Sequence, residues 1–204
     1  AADARARDVA ARFTSFDKLE RYGYADRPLR EEIIESIVGS DGREAAVLTR
    51  NSYGALILNA ARVMFIDIDF DAQAKSSPLR RLMGKSAPSP LAQQLARLED
   101  WARQRPQFSL RVYRTFGGLR GLITNELFDP TDAGSIQILQ SLNSDPLYVR
   151  LCRAQECFRA RLTPKPWRCG VGNPPSRYPW SSSGAELAYR QWERVYEYAA
   201  NRYT

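Results

Sequence analysis

Two carboxylates, Asp67 and Asp69, close an apolar β-type run, Arg62-Val63-Met64-Phe65-Ile66-Asp67-Ile68-Asp69-Phe70. Strand residues two apart project to one face, so the two acids stand side by side. Like charges that close repel, and a cation between them relieves the repulsion. Hard oxygen ligands suit Mg²⁺ or Mn²⁺, which makes Asp67 and Asp69 the candidate metal ligands and catalytic acids. The competing reading is a strand end whose acids face water or pair with arginine.

Two basic groups could serve such a centre. The first is the stretch Arg111-Val112-Tyr113-Arg114-Thr115-Phe116-Gly117-Gly118-Leu119-Arg120-Gly121-Leu122-Ile123-Thr124. It reads as a hairpin in which Arg111, Arg114 and Arg120 grip phosphate, while Gly117, Gly118 and Gly121 admit a close phosphate or backbone. The alternative is a hairpin whose arginines pair with the acids. The second group runs from Phe158 through Arg159, Arg161, Lys165 and Trp167 to Arg168, with Pro164 and Pro166 fixing the path. Arginine beside aromatic rings suits phosphate contact with base stacking, so Arg159, Arg161, Lys165 and Arg168 are candidate nucleic-acid contacts. For Trp167 packing is the simpler role.

The totals narrow the chemistry. The chain has 204 residues, a net charge of +7 and no histidine. Histidine bases, histidine metal ligands and Ser-His or Cys-His pairs are therefore excluded. The arginine-rich surplus suits a polyanionic partner, although a basic pI alone is shared by many proteins that bind none. Three cysteines, Cys152, Cys157 and Cys169, cannot complete a four-ligand zinc site unaided and read as free thiols in a reducing cytoplasm. No apolar run has membrane-spanning length, and Ala1–Arg12 lacks the apolar core of a signal peptide.

Positioning these groups requires an ordered set of elements. Helices are expected over Ala2–Tyr22 and from Pro28 to Gly39, the second with Leu29, Ile33, Ile34 and Ile37 on its apolar face. Strands follow at Glu44–Thr49, Tyr53–Asn59 and Arg62–Phe70. A basic loop with Lys75, Arg80, Arg81 and Lys85 comes next, either a plain surface loop or a substrate-gripping one. A helix spans Pro90–Arg105, strands cover Phe108–Thr115 and Leu119–Thr124, and Asp129-Pro130 and Asp145-Pro146 open two short helices. A strand at Cys157–Thr163, an aromatic Pro-rich loop and a helix over Gly184–Tyr203 finish the chain. In that helix Tyr189, Trp192, Val195, Tyr196 and Tyr203 form a packing face, with room for a protein partner. The order implies a single α+β domain with a mostly antiparallel sheet and a β-α-β crossover, flanked by helices. Its parts are a helical 1–42, an α+β core over 43–163, and 164–204 as loop and final helix.

An apolar strand ending in Asp67-Ile68-Asp69, then a helix, then a strand into the glycine turn Thr115-Phe116-Gly117-Gly118-Leu119-Arg120-Gly121-Leu122-Ile123 resembles the archaeo-eukaryotic primase superfamily, which includes primase-polymerases. The resemblance covers roughly residues 44–130. It implies a primase-like, RRM-like core in which the acids hold metals for nucleotidyl transfer and a nucleoside triphosphate or nucleic acid is bound. The family's second motif carries a histidine that grips phosphate; here Arg120 or Ile123 stands in its place. Phe128-Asp129 is the match to the third motif. With arginine for histidine, phosphate binding survives more readily than catalysis. A non-catalytic basic nucleic-acid-binding module on the same fold, a nucleotide-sugar transferase, and an assembly subunit using its arginines for protein contacts are the alternatives.

Overall fold

The computed structural model describes residues 31–70 and 89–203. In chain order these form β1 (Glu32–Val38), β2 (Glu44–Arg50), β3 (Leu56–Ala60), β4 (Phe65–Asp69), α1 (Pro90–Gln104), β5 (Leu110–Arg114), β6 (Gly118–Ile123), α2 (Ala133–Ser141), α3 (Pro146–Gln155), β7 (Phe158–Arg161), a 3₁₀ turn (Pro166–Arg168) and α4 (Ser183–Ala200). The expected helix over 2–22 and the basic loop with Lys75, Arg80, Arg81 and Lys85 lie outside the described residues.

The protein is α+β with two antiparallel sheets, ordered β1-β2-β3-β7 and β4-β6-β5. Both β4 and β5 run antiparallel to β6, so they are parallel to each other and α1 makes the crossover between them. From β4 to β7 the elements follow the β-α-β-β-α-β order of a split βαβ motif, with α2 and α3 together in the second helical position.

Helix starts follow their caps. Ser89 accepts from the N–H of Ala92 ahead of Pro90, Asp132 from Gly134 and Ser135, and Asp145 from Tyr148 ahead of Pro146. One face of the β4-β6-β5 sheet carries Ile66, Ile68, Leu119 and Ile123, all buried with Leu98 and Trp101 of α1 and Leu139 of α2. The alternation that buries Ile66 and Ile68 turns Asp67 and Asp69 to the other face.

Residues 32–38 form a strand rather than the end of the helix expected from Pro28. The apolar positions fit a helical spacing, but Ile33, Ile34, Ile37 and Val38 are β-branched and favour extended backbone. A tight turn then folds them onto β2: the N–H of Gly39 donates to Arg43 O at 2.8 Å, with Gly42 at φ 76°. Strand β1 therefore enters the sheet part, and the boundary expected near residue 42 falls inside a hairpin.

Why two sheets and not one is visible in the hydrogen bonds of β4. Among the described residues, its other edge meets no strand ladder. The hydroxyl of Ser144 accepts from Asp67 N–H at 3.2 Å and donates to Asp67 O at 3.1 Å. The N–H of Asp145 donates to the same carbonyl at 2.7 Å, and the Tyr148 hydroxyl donates to Phe65 O at 3.0 Å. The start of α3 thus satisfies the backbone groups that β7 would otherwise pair. Strand β7 still lies against β4, but it takes its ladder from β3.

Helix α4 sits on the β1-β2-β3-β7 side. Buried Arg50 at the end of β2 donates to Gly54 O and forms ion pairs with Glu193 and Glu197. Arg190 pairs with Glu32 of β1. Tyr189 and Tyr196 are buried, whereas Val195 and Tyr203, expected on the packing face, are exposed with Leu187 and Tyr198.

Candidate functional site

The register of β4 and β6 sets Asp67 opposite Arg120 and Asp69 opposite Gly118. Arg120 Nη2 donates to Asp67 Oδ1 at 2.7 Å and Nη1 donates to Arg161 O at 2.9 Å. One guanidinium rooted on β6 therefore ties the acid strand to β7. Its Nε is buried and has no hydrogen-bond partner among the described residues. Asp67 and Arg120 are 25% and 16% exposed, so water screens their contact only partly.

Asp69 projects into the open. Burial, then the charges of Asp67 and Asp145, raise its pKa above the ordinary carboxylate range, while Arg161 and Arg168 oppose that rise. Asp145, which sequence reasoning treats only as a helix cap, thus lies near enough for its charge to act on Asp69, while its carboxylate caps α3 by accepting from the N–H of Tyr148. The signal was the Asp-Pro pair itself, but nothing in it says where the capped helix will start. Asp129, the sequence match to a third acid, lies elsewhere: it is exposed and accepts from the N–H and hydroxyl of Thr131 at 2.8 and 2.6 Å. Those bonds lower its pKa.

The cations gather beyond the acids. Arg161, at the end of β7, has its pKa lowered by burial and then by Arg120 and Arg168. Lys165 is lowered by burial and then by Arg161 and Arg168. Among the described residues, no carboxylate lies within ion-pair distance of Arg161, Lys165 or Arg168. Aromatic rings line this basic wall. The Arg168 guanidinium lies 4.2 Å from the ring centroid of Phe116, which is 81% exposed at the β5–β6 turn. The Lys165 ammonium stands 5.3 Å from the Trp167 ring, itself edge-on to Tyr53 at 5.3 Å. Trp167 is 49% exposed, so it is not the packed residue expected. Phe116 and Tyr53 were not foreseen as parts of a site.

Other expected residues are placed differently. Arg159 is held by Glu31 at 2.7 Å and by Gln155 at 3.0 Å, in a cluster with Thr49, and is largely buried. Arg114 pairs with Leu119, on the face away from the acids, and Arg111 pairs with Leu122 on the outer strand, one row beyond Arg120. Neither is brought to Asp67. Gly118 is required by the chain: a Cβ there would stand 1.8 Å from Ile68 O, so its bareness serves strand approach. Gly117 faces Asp69, with space for a Cβ 3.5 Å from Asp69 Oδ1.

A two-metal centre does not fit these side chains as they stand. One oxygen of Asp67 is already engaged by a permanently charged guanidinium, and among the described residues no group of three acid, cysteine or histidine side chains is arranged to hold a metal ion. The cysteines are free, and burial pushes the Cys152 thiol up to about 11, which leaves it unreactive at neutral pH. The chain matches no family model, no curated protein and no solved structure.

Proposed function

We propose that the chain is a nucleotide- or nucleic-acid-binding domain whose ligand lays its phosphates on Arg161, Lys165 and Arg168. The observation that carries this reading is the convergence of three cations without a carboxylate partner among the described residues. Arginine and lysine crowded together lower one another's pKa, and an anion relieves that repulsion. The exposed faces of Phe116 and Trp167 beside the same cations suit an unpaired base, since every base has a face to stack. The three free cysteines support a reducing cytoplasmic setting, and no helix among the described residues is long and apolar enough to cross a membrane.

The test is binding of a fluorescent nucleotide and a fluorescent single strand at two salt concentrations. Affinity should fall as salt rises, and Arg161→Ala/Arg168→Ala should lose most of it while the fold is retained. Equal binding by that variant would sink the reading.

Metal-dependent nucleotidyl transfer, implied by the primase resemblance, is the second reading. The charge of Asp145 acting on Asp69 favours it, and the hold of Arg120 on Asp67 opposes it. Primer extension with Mg²⁺ or Mn²⁺, absent in Asp67→Asn/Asp69→Asn, would establish it.

A further inference from the structure

Arg120 occupies the place where the sequence alone would put a metal. It is set directly across from Asp67 by strand register and is fixed at both ends of its guanidinium, by Asp67 Oδ1 at 2.7 Å and Arg161 O at 2.9 Å. A divalent ion on the same oxygen would have to sit at roughly 2.0–2.6 Å from it, against the guanidinium. Arginine cannot lose its proton to make room. The side chain is also packed in, so swinging it away would break both bonds and strand a buried charge.

We propose that Arg120 is a built-in counter-ion that keeps divalent cations off Asp67 and Asp69, so that the basic surface beside them takes a nucleotide's phosphates as the free anion, on Arg161, Lys165 and Arg168. The ligand part of this proposal rests on the phosphate-binding reading above; the exclusion of metal does not. The charge balance agrees. With Arg120 and Asp67 neutralising each other, Arg161, Lys165 and Arg168 face one nearby acid, Asp69. Polyphosphate free of metal carries more negative charge than its Mg²⁺ complex, and it is the better match to that wall. Mg²⁺ then competes with the protein for the phosphates.

Three titrations test this. The first follows the electron paramagnetic resonance signal of free Mn²⁺ on adding protein. Wild type should leave it unchanged, while Arg120→Gln, which releases Asp67 to act together with Asp69, should bind Mn²⁺ and lose that binding when Asp69→Asn is added. The second follows fluorescent ATP, and the third a fluorescent oligo-dT, each in EDTA and in excess Mg²⁺. Binding should be present in EDTA and equal or weaker in Mg²⁺, and Arg161→Ala/Arg168→Ala should weaken it at least about tenfold. The ATP and oligo-dT arms separate a free nucleotide from a strand as the source of the phosphates.

Mn²⁺ uptake by wild type that Asp69→Asn abolishes would overturn the counter-ion, whatever the nucleotides do. A folded Arg120→Gln that ignores Mn²⁺ would overturn it too. Should Arg120→Gln fail to fold, the wild-type titrations still decide, because tighter ATP binding in Mg²⁺ than in EDTA contradicts the proposal. Failure of both ATP and oligo-dT to bind under any condition would instead overturn the phosphate-binding reading and leave the Mn²⁺ result to judge Arg120 alone.

Discussion

The seat of α4 and the basic surface at the ends of β4 and β7 are built from the same residue types, and they balance their charges differently. Under α4, Arg50 has Glu193, Glu197 and a backbone carbonyl, and Arg190 has Glu32 and Glu193 while lying over Trp180 and Tyr189. The rings there are packed, with Tyr196 stacked on Trp192 and its hydroxyl bonded to Pro164 O at 2.6 Å. On the basic surface, one arginine of the group is matched, Arg120 by Asp67, and Arg161, Lys165 and Arg168 have no carboxylate partner among the described residues and stand beside open rings. Arginine, carboxylate and aromatic ring therefore mark a joint in one place and a candidate ligand surface in the other. Partner satisfaction separates the two, and composition does not.

The largest effect should come from the matched region. Arg50→Ala removes the buried cation that ties β2 to Glu193 and Glu197, leaves Glu193 with Arg190 alone, and should cost about 1.5–3 kcal/mol, read as a lower urea midpoint. If it costs nothing, the α4 seat is not the structural half of the contrast. On the basic surface the same chemistry should give the reverse pattern. Arg161→Ala should change stability by about 0.5 kcal/mol or less while weakening nucleotide binding about tenfold, and a large stability loss would move Arg161 into the structural class. Ser144→Ala removes both hydroxyl contacts to Asp67 and should cost about 1 kcal/mol, seen also as faster amide exchange at Asp67.

The smallest effect is a pH dependence. Asp69 binds its proton more tightly in the fold than at its unfolded value near 3.8. Its contribution to stability therefore falls as pH rises from that value through the raised one, and it stays unfavourable above. Asp69→Asn should flatten that slope and stabilise the protein at neutral pH by about 0.5 kcal/mol or less, because solvent screens a half-exposed carboxylate. Unfolding midpoints measured from pH 3 to 7 in both proteins check it, and a steeper slope in the variant would refute the assignment.

Much of the scaffold could be read from local signals. Caps and prolines mark α1 and α3 to within a residue or two, while α2 is capped by Asp132 and not opened by Asp129-Pro130 as expected; alternation marks β2, β4 and β6, because those signals act over a few residues. Strand β1 was misread because periodicity at 33, 34 and 37 fits a helix, and only the turn at 39–42 and its pairing to β2 decide otherwise. The acid pair and the clustering of Arg161, Lys165 and Arg168 were legible as residue types. Which cations pair and which do not was illegible, because it depends on contacts between β4, β6 and β7, which are far apart in sequence. Arg159 and Arg161 stand two apart on one strand, yet one is consumed by Glu31 and the other is left open.

The closure of β4 by Ser144, Asp145 and Tyr148 has an evolutionary consequence. Bonds of a strand ladder belong to the main chain, and ordinary substitutions leave them in place. The hydroxyl bonds on this edge belong to side chains, and one nucleotide change can delete or replace them. The gap between the acid strand and the basic strand is thus a heritable dimension, adjustable in small steps while each sheet keeps its own pairing.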